Sequence, residues 1–346
     1  MFDLVPNENE AKFVNRGGGT YTFEHADPNN VDLFDQIGAV RKIPIEAITS
    51  RVDSYTESDY PIEVCEPVPM PNFSALQNIA TGDVLNVAPI GESYKLEPHD
   101  RLFAKQANLL SESDLPLGDV SVVDRLYEGG LRAHRTIHFN DLQTTVGDSS
   151  DLVRCRMDIF NSVDKSWAFQ IFSGAYRDLC RNTLVFGGEK SYHQKAKHTK
   201  NLSVEALITK AGGSLDMWTN QRDQMRAWQG SRLSDTQFAN ILKETICAKT
   251  GRAVKAGVVD GVNQRLMNAL LYMFDKEKPE LGGTMWAAYN ALTHWATHTN
   301  ETVTNLETGK EYQTGKKTAK VYDVQRKRNE QVASVLNSDA WLAVAA

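Results

Sequence analysis

The densest run of chemistry-bearing side chains lies between Gly174 and Asn201. It holds Arg177, Arg181, Lys190, Lys195, Lys197 and Lys200, with Tyr192, His193 and His198 among them. Cations at short irregular intervals with rings between them suit a phosphate backbone. Lysine and arginine neutralise phosphates, and an aromatic face stacks on a base whatever its identity. Trp167, just upstream, is a second stacking candidate; Arg132, Arg154 and Arg156 extend the track if their strands lie side by side. A further basic run, Lys316, Lys317, Lys320, Arg326, Lys327 and Arg328, offers a second anionic contact. The expected ligand is DNA, single-stranded rather than duplex.

Other patterns point to chemistry less directly. His294 and His298 stand four apart, a chelating spacing on a helix, but no glutamate follows His294 and no third ligand is evident. His134 and His138 pair in the same way on a strand. Residues 309–318 resemble a phosphate-binding loop, yet their glycines are one residue too far apart and Lys317 stands where Ser or Thr belongs. Spacing supports no acid–base carboxylate pair and no Ser-His-Asp or Cys-His arrangement. The chain therefore reads as non-enzymatic, with no metal and no cofactor expected. Two alternatives stay open: a protein-binding anti-defence or assembly factor, and a metal-dependent nuclease, which needs three or more converging carboxylate or His ligands.

Strands must position the first arginines. Residues 152–160 and 167–172 are β-rich runs separated by the polar break Asn161-Ser162-Val163-Asp164-Lys165, an antiparallel hairpin signature. Residues 120–123 and 131–139 read as further strands around Gly129-Gly130. In the second, period-two alternation puts Arg132, His134, Thr136 and His138 on one face. A short helix is expected over 100–110. Beyond 200 the period turns helical: helices are expected over 203–210, 214–228, from Ser234 as N-cap, from Asp260 as N-cap, over 285–298 and over 323–336, with Trp341 docking the end. Residues 300–320 read as an exposed tongue. The fold class is α+β, a central antiparallel sheet followed by a helical C-terminal half. Three regions are expected: an acidic Pro/Gly-containing arm (1–85) with short regular pieces at 31–37 and 73–79, an α+β core (86–300), and a basic loop with a C-terminal helix (301–346).

Composition agrees with a soluble globular class: 41% hydrophobic and 24% charged residues in a chain of 346. No apolar run approaches the ~20 residues of a membrane helix, and the N-terminus lacks a signal-peptide pattern. Cys65, Cys155, Cys180 and Cys247 are scattered, as reduced and mostly buried thiols of a cytoplasmic protein would be. The net charge of −6 is segregated: residues 1–150 carry 24 acidic and 11 basic side chains, whereas residues 151–346 carry 20 and 27. Such asymmetry suggests an anionic partner for the second half, or the acidic half of a sister copy in a homo-oligomer.

Four pieces in order resemble a known family. Gly91-Glu92-Ser93-Tyr94-Lys95 is similar to a G-x-x-Y-K turn. Asn161 to Ser166 is similar to an N-S-x-D-G-S hairpin turn, with Lys165 in place of the glycine. Arg177 to Leu184 is similar to R-x-x-C-x-N-T-L, and Thr284 to His298 to a T-x-W-x-x-x-N-A-x-T-x-Y-x-x-H helix. Together they resemble the phage/plasmid-like proteins grouped as domain of unknown function 932, over roughly residues 85–340. The resemblance implies a mobile-element protein in the cytoplasm of a bacterial host. Strands followed by a basic helix also resemble, in layout alone, phage single-strand annealing proteins.

Overall fold

Alternation of apolar and polar side chains between residues 120 and 177 builds the centre of the molecule. The computed structural model describes residues 7–15, 21–25, 40–53, 62–111, 118–128, 130–147, 152–177, 182–185, 193–212, 218–248, 261–306, 308–315 and 321–345. Along the chain come β1 (Asn7–Asn15), β2 (Tyr21–His25), β3 (Val40–Asp53), β4 (Ile62–Asn78), β5 (Ile90–Gly91) and α1 (His99–Ser111). The central strands follow: β6 (Val120–Tyr127), β7 (Arg132–Thr145), β8 (Leu152–Ser162), β9 (Phe169–Arg177), β10 (Asn182–Val185) and β11 (His193–Ala196). Their antiparallel sheet has the order β10-β9-β8-β7-β6-β1-β2, and β11 pairs β9 beyond β10. The expected α+β class and the 151–172 hairpin are both present.

Register divides the sheet into two unlike faces. Val122, Ile137, Met157 and Ile171 share one face and are fully or almost fully buried. At roughly 1.5–3 kcal/mol per buried aliphatic side chain, this face is a main source of stability. It also encloses a two-pronged ion pair, Arg135 to Asp124 at 2.7 Å on both prongs, beneath Phe103 and Gln106 of α1. The opposite face is polar and carries the candidate site.

Helices supply the second layer: α2 (Val204–Gly212), α3 (Trp218–Gly230), α4 (Asp235–Glu244), α5 (Gln264–Leu281) and α6 (Met285–Thr297). Ser234 caps α4 in a reciprocal capping box with Gln237, and Thr284 caps α6 by accepting from the Ala287 amide at 3.2 Å. Asp260, the expected cap of α5, lies outside the described residues; Asn263 does that work, accepting from the Leu266 amide at 3.2 Å. Trp286, Tyr289, Leu292 and Trp295 bury α6 on every side, as an almost uninterrupted apolar sequence requires. The chain ends with α7 (Val321–Leu336) and α8 (Asp339–Ala345), the latter docked by a fully buried Trp341.

The structure refines several expectations. In the N-terminal region, β1 pairs with β6 from Asn7↔Leu126 to Phe13↔Val120 and so extends the central sheet. Residues 73–78 belong to β4, which forms a long ribbon with β3, while 31–37 lie outside the described residues. The described part of the 300–320 tongue is a hairpin of β12 (Thr302–Thr304) and β13 (Glu311–Gln313). Asn182 opens β10 opposite Arg177. Of the cysteines, Cys155 and Cys247 are buried and Cys65 is exposed; all three are free thiols.

Lys165 sits at φ +65°, a left-handed position that costs a side chain roughly 1–2 kcal/mol. The family pattern has glycine there. The lysine is held by donating to the Pro89 carbonyl at 2.8 Å.

Candidate functional site

Strand pairing brings residues from four strands onto the polar face. His134 lies opposite Arg125 and Phe160, Thr136 opposite Asp158, His138 opposite Arg156, and Arg154 opposite Tyr176. The expected alternation of Arg132, His134, Thr136 and His138 is therefore realised, and the neighbouring strands add three arginines to it. Ser121, Arg125, His138, Arg154, Arg156 and Tyr176 are half-buried, so the face is reached by solvent along this stretch.

A carboxylate organises the middle of the face. Asp158 accepts from Arg156 on both oxygens, at 2.7 and 2.6 Å, from His134 Nε2 at 2.7 Å and from Thr136 Oγ1 at 3.0 Å. Burial alone would raise its pKa, but the Arg156 guanidinium and the His134 hydrogen bond hold it well below the usual carboxylate range. The pKa of His134 is lowered too, in its case by burial and against the pull of Asp158, and its ring stacks on Phe160 at 4.1 Å. His138 is lowered to about 4, chiefly by burial and then by Arg156, so it is an uncharged ring at neutral pH. It meets Tyr176 edge-on at 5.7 Å. Arg125 reaches the network by donating to Thr136 Oγ1 at 3.0 Å. Arginines and flat rings thus share this face with one another and with Asp158, which is buried.

The expected basic track is not continuous. Arg177 is 2% exposed and points to the helical layer, donating to Glu277 at 3.2 Å, Glu280 at 2.8 Å and Asn290 Oδ1 at 3.5 Å. Even alternation along β9 puts it on the apolar face, where only internal carboxylates can neutralise it. Trp167 is also buried, and its Nε1 donates to Asp323 at 2.8 Å, so it is not available for base stacking. Arg132 is drawn to Asp164 and Asp323 at the covered end of the polar face. Lys195 pairs with Glu330 at 3.0 Å, while exposed Lys197 and Lys200 continue from β11 at the sheet edge. From Tyr176 to Gln170, which faces Lys195, the strand runs six residues, roughly 20 Å, so these lysines form a separate patch from Arg154. In the second basic run, Arg326 and Arg328 are buried and Lys327 is exposed. Arg181, Lys190, Tyr192, Lys316 and Lys317 lie outside the described residues.

His294 and His298 bring their rings to 4.4 Å, and His294 Nε2 contacts Glu301 at 2.7 Å. Among the described residues no three His, Cys, Asp or Glu side chains come together as metal ligands, so the nuclease alternative has no centre there. No described helix is long and apolar enough to cross a membrane.

The residues that carry the family resemblance meet in two places. Tyr94 Oη donates to the Ser162 carbonyl at 3.0 Å, and Asn161 Nδ2 bridges the Glu97 carbonyl and His99 Nδ1, each at 2.9 Å. The G-x-x-Y-K turn thus holds the hairpin turn. Arg177 and Asn290 join the third piece to the fourth. Both junctions are buried and structural; the signature records how the layers are fastened. Neither a curated protein nor a solved structure matches this chain. The family described as Domain of unknown function (DUF932) matches residues 87–341, nearly three-quarters of the sequence, and the chain belongs to that family.

Proposed function

We propose that the protein is a non-catalytic DNA-binding protein of a phage or plasmid, acting on single strands during replication or recombination in the bacterial cytoplasm. Its contact surface in this reading is the polar sheet face, with Lys197 and Lys200 as a secondary patch. The observation that carries the reading is the row of Arg125, Arg154 and Arg156 beside the rings of His138 and Tyr176, with the buried carboxylate of Asp158 among them. Arginines track phosphates and rings stack on bases, and an open sheet accommodates splayed single strands better than a duplex. Fluorescence anisotropy with a single-stranded oligonucleotide across a salt series tests the reading. Arg154→Ala is expected to weaken binding about fivefold and to flatten the log K against log salt slope by about 0.7, the loss of one phosphate contact. A wild-type line without slope would remove it.

A second reading, a protein-binding or assembly factor, rests on the β3–β4 ribbon. Ile48, Val68 and Phe73 on it are 77%, 44% and 42% exposed. Two-stranded ribbons are marginal alone in water and commonly need a covering surface. Ile48→Asp with Val68→Asp should then abolish association measured by sedimentation while leaving DNA affinity unchanged. Unaltered sedimentation would exclude it.

A further inference from the structure

Four separated elements enclose a cleft of about 230 Å³: the start of α5, the end of α6, the β13 hairpin strand and α7. Its distinctive lining is two arginines, each laid over an aromatic ring. The Arg265 guanidinium lies 4.9 Å from the Tyr312 ring centre, and that of Arg328 lies 4.6 Å from the Trp295 ring centre. Asn263 and Thr314 add polar groups, and among the described residues no carboxylate lines the cleft.

Among the described residues, carbonyls and rings rather than carboxylates hold these two charges. Arg328 is 6% exposed, and its terminal nitrogens donate to the carbonyls of Trp295, His298, Thr299 and Thr314. Carbonyls hold a guanidinium in place without neutralising it. Burial depresses its pKa to about 10, with Glu301 opposing the shift from a distance. Arg265 is exposed at the rim, clamped by donating to the Gln313 carbonyl at 2.8 Å while the Tyr312 hydroxyl donates to the Arg265 carbonyl at 2.7 Å. Neither arginine has a carboxylate within ion-pair distance among the described residues, unlike Arg135, Arg156 and Arg177. A buried cation without an anion, beside an open cleft with rings, is the complement of a planar anionic ligand.

We propose that this cleft binds one nucleotide, its phosphate on Arg265 and its base against the Arg328–Trp295 and Tyr312 side of the cleft. The volume, below the ~300–1,000 Å³ of ordinary ligand pockets, limits it to a single unit. The nucleotide comes either free from solution or as the phosphorylated end of a strand. The cleft's residues are distinct from those of the sheet face, so this inference stands or falls apart from the proposed function.

Calorimetric titration of the full chain with dAMP, deoxyadenosine and inorganic phosphate tests it. dAMP should bind at least about tenfold more tightly than either fragment, because charge and ring are recognised together. Arg265→Ala, at an exposed helix position that alanine tolerates, should weaken dAMP about tenfold, with Arg265→Lys intermediate. Arg154→Ala on the sheet face should leave dAMP binding unchanged. A 5′-phosphorylated oligonucleotide that outcompetes its unphosphorylated twin identifies a strand end as the source; failure of both to displace bound dAMP identifies free nucleotide. Absence of heat with dAMP at millimolar concentration, or wild-type affinity in Arg265→Ala, overturns the proposal.

Discussion

Arg177→Ala is expected to lower the unfolding free energy by roughly 3–5 kcal/mol, the range for removing one partner of a buried ion pair. The guanidinium is the sole charged group of β9 on the apolar face, and three side chains of α5 and α6 converge on it. Glu277, of which only 12% of the side chain is exposed, already has a raised pKa through burial, with Arg177 opposing the rise. Deleting the arginine leaves that carboxylate buried and drives it further toward protonation, while Asn290 loses the donor to its Oδ1. Glu280 is 46% exposed and hydrates, so it adds little. Arg177→Lys keeps the charge but cannot fork between two carboxylates, and should cost about half as much. Urea denaturation of the three proteins measures this. A loss under about 1 kcal/mol for alanine would mean that the network is not formed in solution. DNA affinity of the folded fraction should not change, because Arg177 faces away from the polar surface.

The placement of Arg177 shows what the sequence could and could not convey. Period-two alternation in residues 131–139 and 152–160 was legible because each strand carries its own pattern, and hairpin turns short enough to read join them. The cap at Ser234 was legible for the same reason: the bond it makes lies three residues away. Arg177 sits in a basic run and looks like its neighbours there. Its partners Glu277 and Glu280 lie 100 and 103 residues downstream, beyond the reach of any local pattern. Trp167 was misplaced likewise, since Asp323 holds it from 156 residues away. Strand β1 escaped notice because Asn7-Glu8-Asn9-Glu10 offers no apolar alternation; a strand near a sheet edge is specified mainly by the backbone it pairs with. The Arg265–Arg328 cleft was invisible for a further reason. Its lining comes from four elements, and its meaning lies in the carboxylates that are not within reach among the described residues.

Asp158→Asn should move stability and DNA affinity in opposite directions. In the native protein the carboxylate accepts four hydrogen bonds and cancels the Arg156 charge at the centre of the polar face. Asparagine keeps the shape and one acceptor oxygen, which His134 and Thr136 can still use, but offers Arg156 no charge and no second acceptor. The expected loss is roughly 3 kcal/mol, at the low end for a broken buried pair, because half-buried Arg156 can turn outward into water. That same turn exposes a guanidinium to the ligand. Affinity for single-stranded DNA should therefore rise at low salt, with the salt slope steeper by about 0.7, the signature of one more phosphate neutralised. Thermal unfolding gives the first quantity and anisotropy across a salt series the second, both at a temperature where circular dichroism shows the variant folded. A purely structural role for Asp158 predicts lower stability with affinity lowered or unmoved. Only an anion-binding face predicts a weaker fold that grips DNA more tightly, so a loss of both together would refute the sheet face as the contact surface while leaving the ion network itself intact.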